Sequence, residues 1–459
     1  DLNGYSEAEL SKVREGDEYI VSLQIPVYID LMTYAENRGL REEVYRAYIS
    51  RASDVGITPV KFDNRKVMDE ILKLRSEMSI LLGLSNYAEY SVQSKMVDSP
   101  ESVIDFLEKL VNLSHLQAKT ELKDLEAFAG HDLMPWDLMF YSEKLKQKVF
   151  NFKSADLKPY FPESSVLSGL FETIQNLYSV TLTEVEEDCY HPDVRVIMLE
   201  DEDGPIGKIY FDVYARENKR GGAWMSDFQG LYKDSLPVAF VVCNLNSPKD
   251  GKPALFDFDE IVTIFHEFGH ALHHLLTKVT FPCAAGISGV PWDGVELPSQ
   301  YMENFCYERG VIDLISGHWE TGEKLPEELF NKVIDSKNFQ SGLQMLRQCE
   351  FSLWDINTHI SNIDTYKVLD SVREKTALVP VIGENRFLNS FSHIFSGGYA
   401  AGYFSYKWAE VLAADAYEFV KDNGGIESKS ADDFRRFILE VGGSLDFMEQ
   451  YIKFRGGKP

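Results

Sequence analysis

Five consecutive residues carry the clearest chemistry in the chain: His266-Glu267-Phe268-Gly269-His270. Histidines four positions apart lie on one face of a helix, one above the other at roughly 6 Å. Two imidazoles so placed can reach one metal ion from the same side. A glutamate beside the first of them can lean toward a water at that ion and take its proton. Zinc held this way still needs another protein ligand, and an open position if it is to be catalytic rather than structural. The plainer reading of the same residues is a pair of core histidines that pack without any metal.

The third ligand has to come from downstream. A metzincin would carry Gly at 273 and His at 276, but the chain has His273 and Leu276, which excludes that class. The remaining route is a carboxylate on a following helix. Glu296 is the best placed, with Asp293 and Glu303 as rivals. Glu303 lies about two helical turns beyond Glu296, where it can orient a ligand histidine from behind. His273 and His274 read as packing or supporting groups.

The element that must present these groups is well specified. Asp257 is an N-cap residue and Glu260 completes a capping box. Ile261, Ile264, Phe265, Phe268 and Leu272 give the helix an apolar surface. Gly269 is small where another element can approach closely. Upstream, Val194–Leu199, Ile206–Tyr214 and Pro237–Cys243 read as short strands, the first two joined by an acidic hairpin turn at 200–205. A basic loop, Arg216–Trp224, lies between the second and third. A sheet edge here can hold an extended peptide by backbone pairing, or the sheet can simply pack under the helix.

The rest reads as helix. Candidate segments are Leu40–Arg51, Asn64–Leu82, Pro100–Phe128, Pro162–Tyr178, Met302–Ile315, Pro326–Ile360, Asp364–Ala377, Gly402–Asp422 and Ala431–Phe454. Ser99-Pro100-Glu101 is a start signal and Gly83 a stop. Val67, Ile71, Leu74, Met78 and Leu81 form one apolar stripe, read as core. The pattern predicts a mainly α protein with a small β-sheet next to the His266–His270 helix. It predicts one catalytic unit over 1–459: a helical lobe (1–180), the sheet and metal-binding helices (181–300) and a second helical lobe (301–459).

Composition narrows the function classes. A formal net charge of −27 argues against nucleic acid as the main partner. Five cysteines, an odd number with no C-x-x-C pair, argue against a disulfide framework and fit a reducing cytoplasm. No window of about twenty apolar residues is present to span a membrane. The start at Asp1, without Met, suggests a fragment or a processed form.

Several motifs together make a family visible. His266-Glu-Phe-Gly-His270, Ser288-Gly-Val-Pro-Trp-Asp-Gly-Val-Glu296-Leu-Pro-Ser-Gln300, Met302-Glu-Asn304, the Tyr214–Trp224 segment, and His393-Ile-Phe-Ser-Gly397-Gly398-Tyr399-Ala-Ala-Gly402-Tyr403-Phe-Ser-Tyr406 resemble the thimet-oligopeptidase family of zinc peptidases, its bacterial oligopeptidases above all. The resemblance covers essentially the whole chain. It implies a zincin-like helical metallopeptidase fold. It also implies one zinc ion on His266, His270 and Glu296, with Glu267 as general base.

By the same resemblance, Tyr399, Tyr406 and His393 contact the reacting centre, and Tyr403, Gly397 and Gly398 belong to the substrate loop. The residues agree with that part: the glycines interrupt the helix, and tyrosines are neutral donors for an oxyanion. An aromatic-rich helix start packed in the core fits the residues of this loop equally well. The implied activity is cleavage of internal bonds in short oligopeptides by a zinc-activated water, in a monomeric cytoplasmic enzyme. The alternatives are a peptidyl-dipeptidase of similar architecture and a non-catalytic zinc-containing peptide-binding scaffold. The resemblance further implies an N-terminal helical region ahead of this chain's first residue and a short extension past Pro459.

Overall fold

Ser99-Pro100-Glu101 does open a helix in the computed structural model of the chain. Pro100–Ala129 runs for 30 residues, and Gly130 in the left-handed conformation ends it. The Ser99 side chain accepts the Ser102 N–H at 3.2 Å, an N-cap that contributes about 1 kcal/mol. The structure describes every residue except 1, 6–9, 11–12, 17, 58, 152, 154–155, 234, 246, 249–250, 362 and 459. The chain forms two compact units, each drawn from separate stretches. The first comprises Asp1–Gln93, Val97–Asn151 and Ser336–Phe404; the second Ser94–Met96, Phe152–Asp335 and Ser405–Pro459.

Among the described residues, the regular elements of the first unit are helices apart from a short antiparallel ribbon, β1 (Arg14–Glu15) with β2 (Glu18–Tyr19). Its spine is the Pro100–Ala129 helix packed on the Ser341–Ile360 helix. Gly342 permits that approach, since a Cβ there would sit 2.8 Å from the Ala118 nitrogen. A second anchor is Asp137, fully buried and paired with Arg38 and Arg41.

The second unit holds a five-stranded sheet in the order β3 (Thr181–Val185), β4 (Arg195–Asp201), β5 (Gly204–Tyr214), β7 (Val238–Leu245), β6 (Trp224–Gln229). All neighbours are antiparallel except β5 with β7. The β4–β5 hairpin turns where the acidic run predicts it, with Gly204 at φ +119° opposite Asp201. Ile209, Phe211, Val213, Ala239, Val241 and Cys243 all point into the core. Phe211 meets Phe268 of the Phe258–Leu275 helix edge-on, ring centres 5.5 Å apart. Burial of each such phenylalanine contributes about 1.5–3 kcal/mol. Among the described residues no helix is long and apolar enough to cross a membrane.

Several expectations need correction. The stripe Val67, Leu74, Met78, Leu81 is exposed, and the buried side of its helix carries Met68 and Ser79. Periodicity reveals an apolar stripe but not which face the rest of the fold covers. Met302–Ile315 is two helices, Leu297–Phe305 and Arg309–Ile315. Pro326–Ile360 breaks at Gln340, which has φ +58°. Gly402 precedes its helix, which starts at Ser405. Ala431–Phe454 is two helices, Lys429–Phe434 running into a π-helical turn over Arg435–Leu439, and Phe447–Arg455. Strands β3 and β6, with their few apolar residues, and the helices Ile25–Tyr34 and Leu138–Phe150 escape the pattern.

Candidate active site

Phe258–Leu275 is the helix that the capping box predicts. Asp257 Oδ1 accepts the Glu260 N–H at 2.9 Å, and Glu260 Oε2 accepts the Asp257 N–H at 2.8 Å. Its apolar residues, Ile261, Ile264, Phe265, Phe268 and Leu272, are all buried. That leaves His266 and His270 on the remaining face, with ring centres 4.9 Å apart and planes near perpendicular, at 83°.

The next helix, Leu297–Phe305, crosses at Gly269. A Cβ on Gly269 would lie 2.5 Å from the Pro298 carbonyl oxygen and the Ser299 Cα. The backbones therefore meet where one side chain is missing. This contact sets Glu296, at the N-terminal end of that helix, over the two histidines. Glu296 Oε2 lies 3.3 Å from His266 Nε2 and 3.2 Å from His270 Nε2. Ser299 Oγ donates to the same oxygen at 3.0 Å.

These distances suit a metal. Ligands at about 2.0–2.1 Å around a tetrahedral ion stand about 3.3 Å from one another. His266, His270 and Glu296 are the group of metal-binding side chains that converge among the described residues, with ligand atoms all within 4.8 Å of one another. Two imidazoles and one carboxylate match the donor set of open, catalytic zinc sites.

The electrostatics follow from burial and this contact. Burial lowers the His266 pKa, but hydrogen bonds to Glu296 and Glu303 outweigh it and push the ring up to about 10. Burial raises Glu296, yet the charge of His270 and the bonds from both histidines hold it well below the carboxylate range. The cluster thus keeps a cation beside its carboxylate, in the place a metal ion takes when it displaces a proton. Glu303 Oε1 lies 2.6 Å from His266 Nδ1, so it fixes the tautomer that leaves Nε2 toward the cluster.

Glu267 follows the first of these histidines in the chain. It is 5% exposed, and its Oε2 is buried without a hydrogen bond. Burial raises its pKa, against the lowering charges of His266 and His270, which suits a base working near neutral pH.

The rivals have other partners. Asp293 is fully buried and accepts the Met96 N–H on both oxygens, at 2.8 and 3.0 Å. Glu303 supports His266 as described. His273 is fully buried with neither ring nitrogen hydrogen-bonded, and burial pulls it down to about 3. His274 Nε2 meets the Gln229 carbonyl at 2.8 Å, tying the helix to β6. Both are therefore packing groups. In the basic loop, Arg216 and Lys219 are held by the buried Asp212 at 2.6 and 2.8 Å.

The Gly/Tyr segment divides between the units. His393, Gly397, Gly398, Tyr399 and Tyr403 belong to the first. His393 rings with Tyr399 at 5.8 Å and with Tyr403 at 5.6 Å. Burial lowers the His393 pKa and raises Tyr403 to about 12, so both are neutral near pH 7. Tyr406 belongs to the second unit, where its carbonyl accepts from Gln300 at 3.2 Å. The sequence reading missed Ser299 at the donor cluster and Asp355 beneath the loop. Asp355 does not stand out in the sequence, because the Ser341–Ile360 helix carries many polar residues besides Asp355 and His359.

The profile of peptidase family M3 matches residues 31–459. The chain belongs to peptidase family M3. It is a metallopeptidase, and family membership implies a catalytic metal. Oligopeptidase A of Escherichia coli K12 is 47% identical over 98% of this chain and 68% of its own length. Oligopeptidase A of Haemophilus influenzae is 45% identical over 100% and 71%. Dipeptidyl carboxypeptidase of E. coli is more distant, 31% identical over 100% and 70%. Among solved structures, PZ peptidase A with an inhibitor superposes with a TM-score of 0.61 over 98% of this chain and 70% of that one, at 14% identity. That likeness bears on the fold, which is mainly helical with a small sheet as expected.

Proposed function

We propose that the chain is a zinc-dependent endopeptidase that hydrolyses internal bonds of short oligopeptides. The observation that carries this is the convergence of His266, His270 and Glu296 beside a buried, raised-pKa Glu267 whose Oε2 has no hydrogen bond. A structural metal site has no use for such a glutamate.

One zinc ion per chain would be held by His266, His270 and Glu296, and would supply Lewis acidity that brings the pKa of a water toward 7. Glu267 takes the proton from the attacking water and passes it to the leaving amine. Glu303 keeps His266 in its binding tautomer. Tyr399 and Tyr406 donate to the oxyanion, and His393 assists at the reacting centre. Tyr403, Gly397 and Gly398 line the substrate side. The outer strand β6 leaves one edge for an extended peptide to pair along. A cytoplasmic, monomeric enzyme turning over peptides fits this reading, which is also supported by the relatives named oligopeptidase A.

A quenched-fluorescent peptide assay tests the proposal. Cleavage at an internal bond is expected, is abolished by a chelator, and returns with zinc. Cleavage that requires a free C-terminus would instead make the chain a dipeptidase, like its more distant relative. No metal-dependent cleavage at all would leave the scaffold reading.

A further inference from the structure

The Tyr399–Tyr403 loop is irregular backbone, yet it is tied down from beneath by one carboxylate. Asp355, 1% exposed, lies in the Ser341–Ile360 helix. Its Oδ1 accepts the Ala401 N–H at 2.9 Å, and its Oδ2 accepts those of Gly402 and Tyr403 at 2.9 and 3.0 Å. Three converging amides make a pocket that suits an anion. Ala401 is held at φ +49°, a left-handed conformation that a residue with a Cβ enters only when its surroundings impose it.

The carboxylate is itself oriented. His359 Nδ1 lies 3.1 Å from Asp355 Oδ1 and 2.8 Å from the Asp355 carbonyl oxygen. His359 Nε2 lies 3.1 Å from Arg75 Nη1. A guanidinium only donates, so Nε2 accepts, the proton sits on Nδ1, and His359 donates to Asp355. Arg75 Nη2 donates to the Ile394 carbonyl at 2.7 Å, next to His393. Ser91 Oγ reaches the Ala400 and Ala401 carbonyls at 3.1 and 3.0 Å.

We propose that Asp355, oriented by His359 and Arg75, is a positioning residue of the reaction: it fixes the turn over Ala401, Gly402 and Tyr403 that follows Tyr399. The inference rests on the reading of that loop as catalytic. Asp355 touches neither substrate nor metal. It acts through the loop, so it governs how well Tyr399, the oxyanion donor of that loop, is placed and leaves the metal cluster untouched. An asparagine at 355 turns one acceptor into a donor and sets it against an N–H that it must receive.

The test compares Asp355→Asn with the parent enzyme for kcat, KM, bound zinc and amide exchange. Expected are a kcat lower by about 100-fold, the scale of a misplacement near 1 Å, and a KM that changes far less. Zinc content stays the same, and exchange accelerates at Ala401, Gly402 and Tyr403 but not along the Ser341–Ile360 helix. A kcat within about twofold of the parent's would overturn the inference, because positioning a donor by hydrogen bonds to one carboxylate cannot matter less than one such bond. Amides that stay protected would overturn it as well.

If Asp355→Asn does not fold, Ser91→Ala carries the same test with an expected kcat drop of about fivefold, the equivalent of one hydrogen bond. No drop overturns the inference. Tyr399→Phe is the control. If it lowers kcat and the positioning variants do not, this inference alone falls. If it leaves kcat intact, the catalytic reading of the loop falls and takes this inference with it.

Discussion

The donor cluster of the second unit and the tyrosine loop of the first are held in opposite ways. His266, Glu267 and His270 ride on one helix, and Glu296 sits at the end of the next. Helical hydrogen bonds fix that backbone, and neighbouring side chains such as Glu303 and Ser299 only trim the aim of the ligands. In the loop the order is reversed. There a side chain, Asp355, fixes the backbone, and it comes from 48 residues earlier than Tyr403. A site built on regular structure is rigid by default, whereas one built on a loop is only as well placed as its tether.

Substitutions can break this contrast, beginning with the largest effect. Glu296→Ala is expected to remove tight zinc binding and turnover together, read by metal analysis after dialysis. If zinc is retained, the cluster does not depend on this helix. Glu267→Gln is expected to keep zinc and lose about 10²–10⁴ in kcat. Substantial residual turnover in the peptide assay would remove Glu267 from its role.

Tyr399→Phe and Tyr406→Phe are each expected to cost about 10²–10³ in kcat with zinc unchanged. Tyr399 and Tyr406 flank the three amides held by Asp355 and belong to different units, so an effect on Tyr399 alone would confine catalysis to the loop of the first unit. Glu303→Gln is expected to weaken zinc affinity by about 10–100-fold, measured by competition with a chelator. The smallest effect belongs to Asp293→Asn. It weakens one of two bonds to the Met96 N–H and is expected to cost about 1–3 kcal/mol of stability. Zinc binding should not change, which denaturation with metal analysis can verify.

The same contrast explains what the sequence made legible. The capping box, the four-residue histidine spacing and Gly269 are local signals, and each has its expected counterpart in the folded chain. Among the carboxylates, Asp293, Glu296 and Glu303 were close competitors, because spacing along a chain does not say which oxygen a turn delivers. Asp293 is claimed by the Met96 amide, a partner nearly two hundred residues away. Asp355 was invisible for the same reason. The exposed stripe on the Arg65–Leu81 helix marks the converse limit, since apolar spacing alone does not reveal what lies opposite. Long helical readings broke where a tertiary demand, such as Gln340 at φ +58°, overrode periodicity.

Gly269 also acts as a gauge. The gap between the motif helix and its neighbour is set by a hydrogen atom where other residues have carbon, with Pro298 and Ser299 resting directly against it. Coordination bonds tolerate about 0.2 Å of error, whereas a methyl group in that gap would demand a shift several times larger. The spacing of the donor cluster is thus set partly by a residue outside it, and an engineer seeking to change that spacing would start at the crossing.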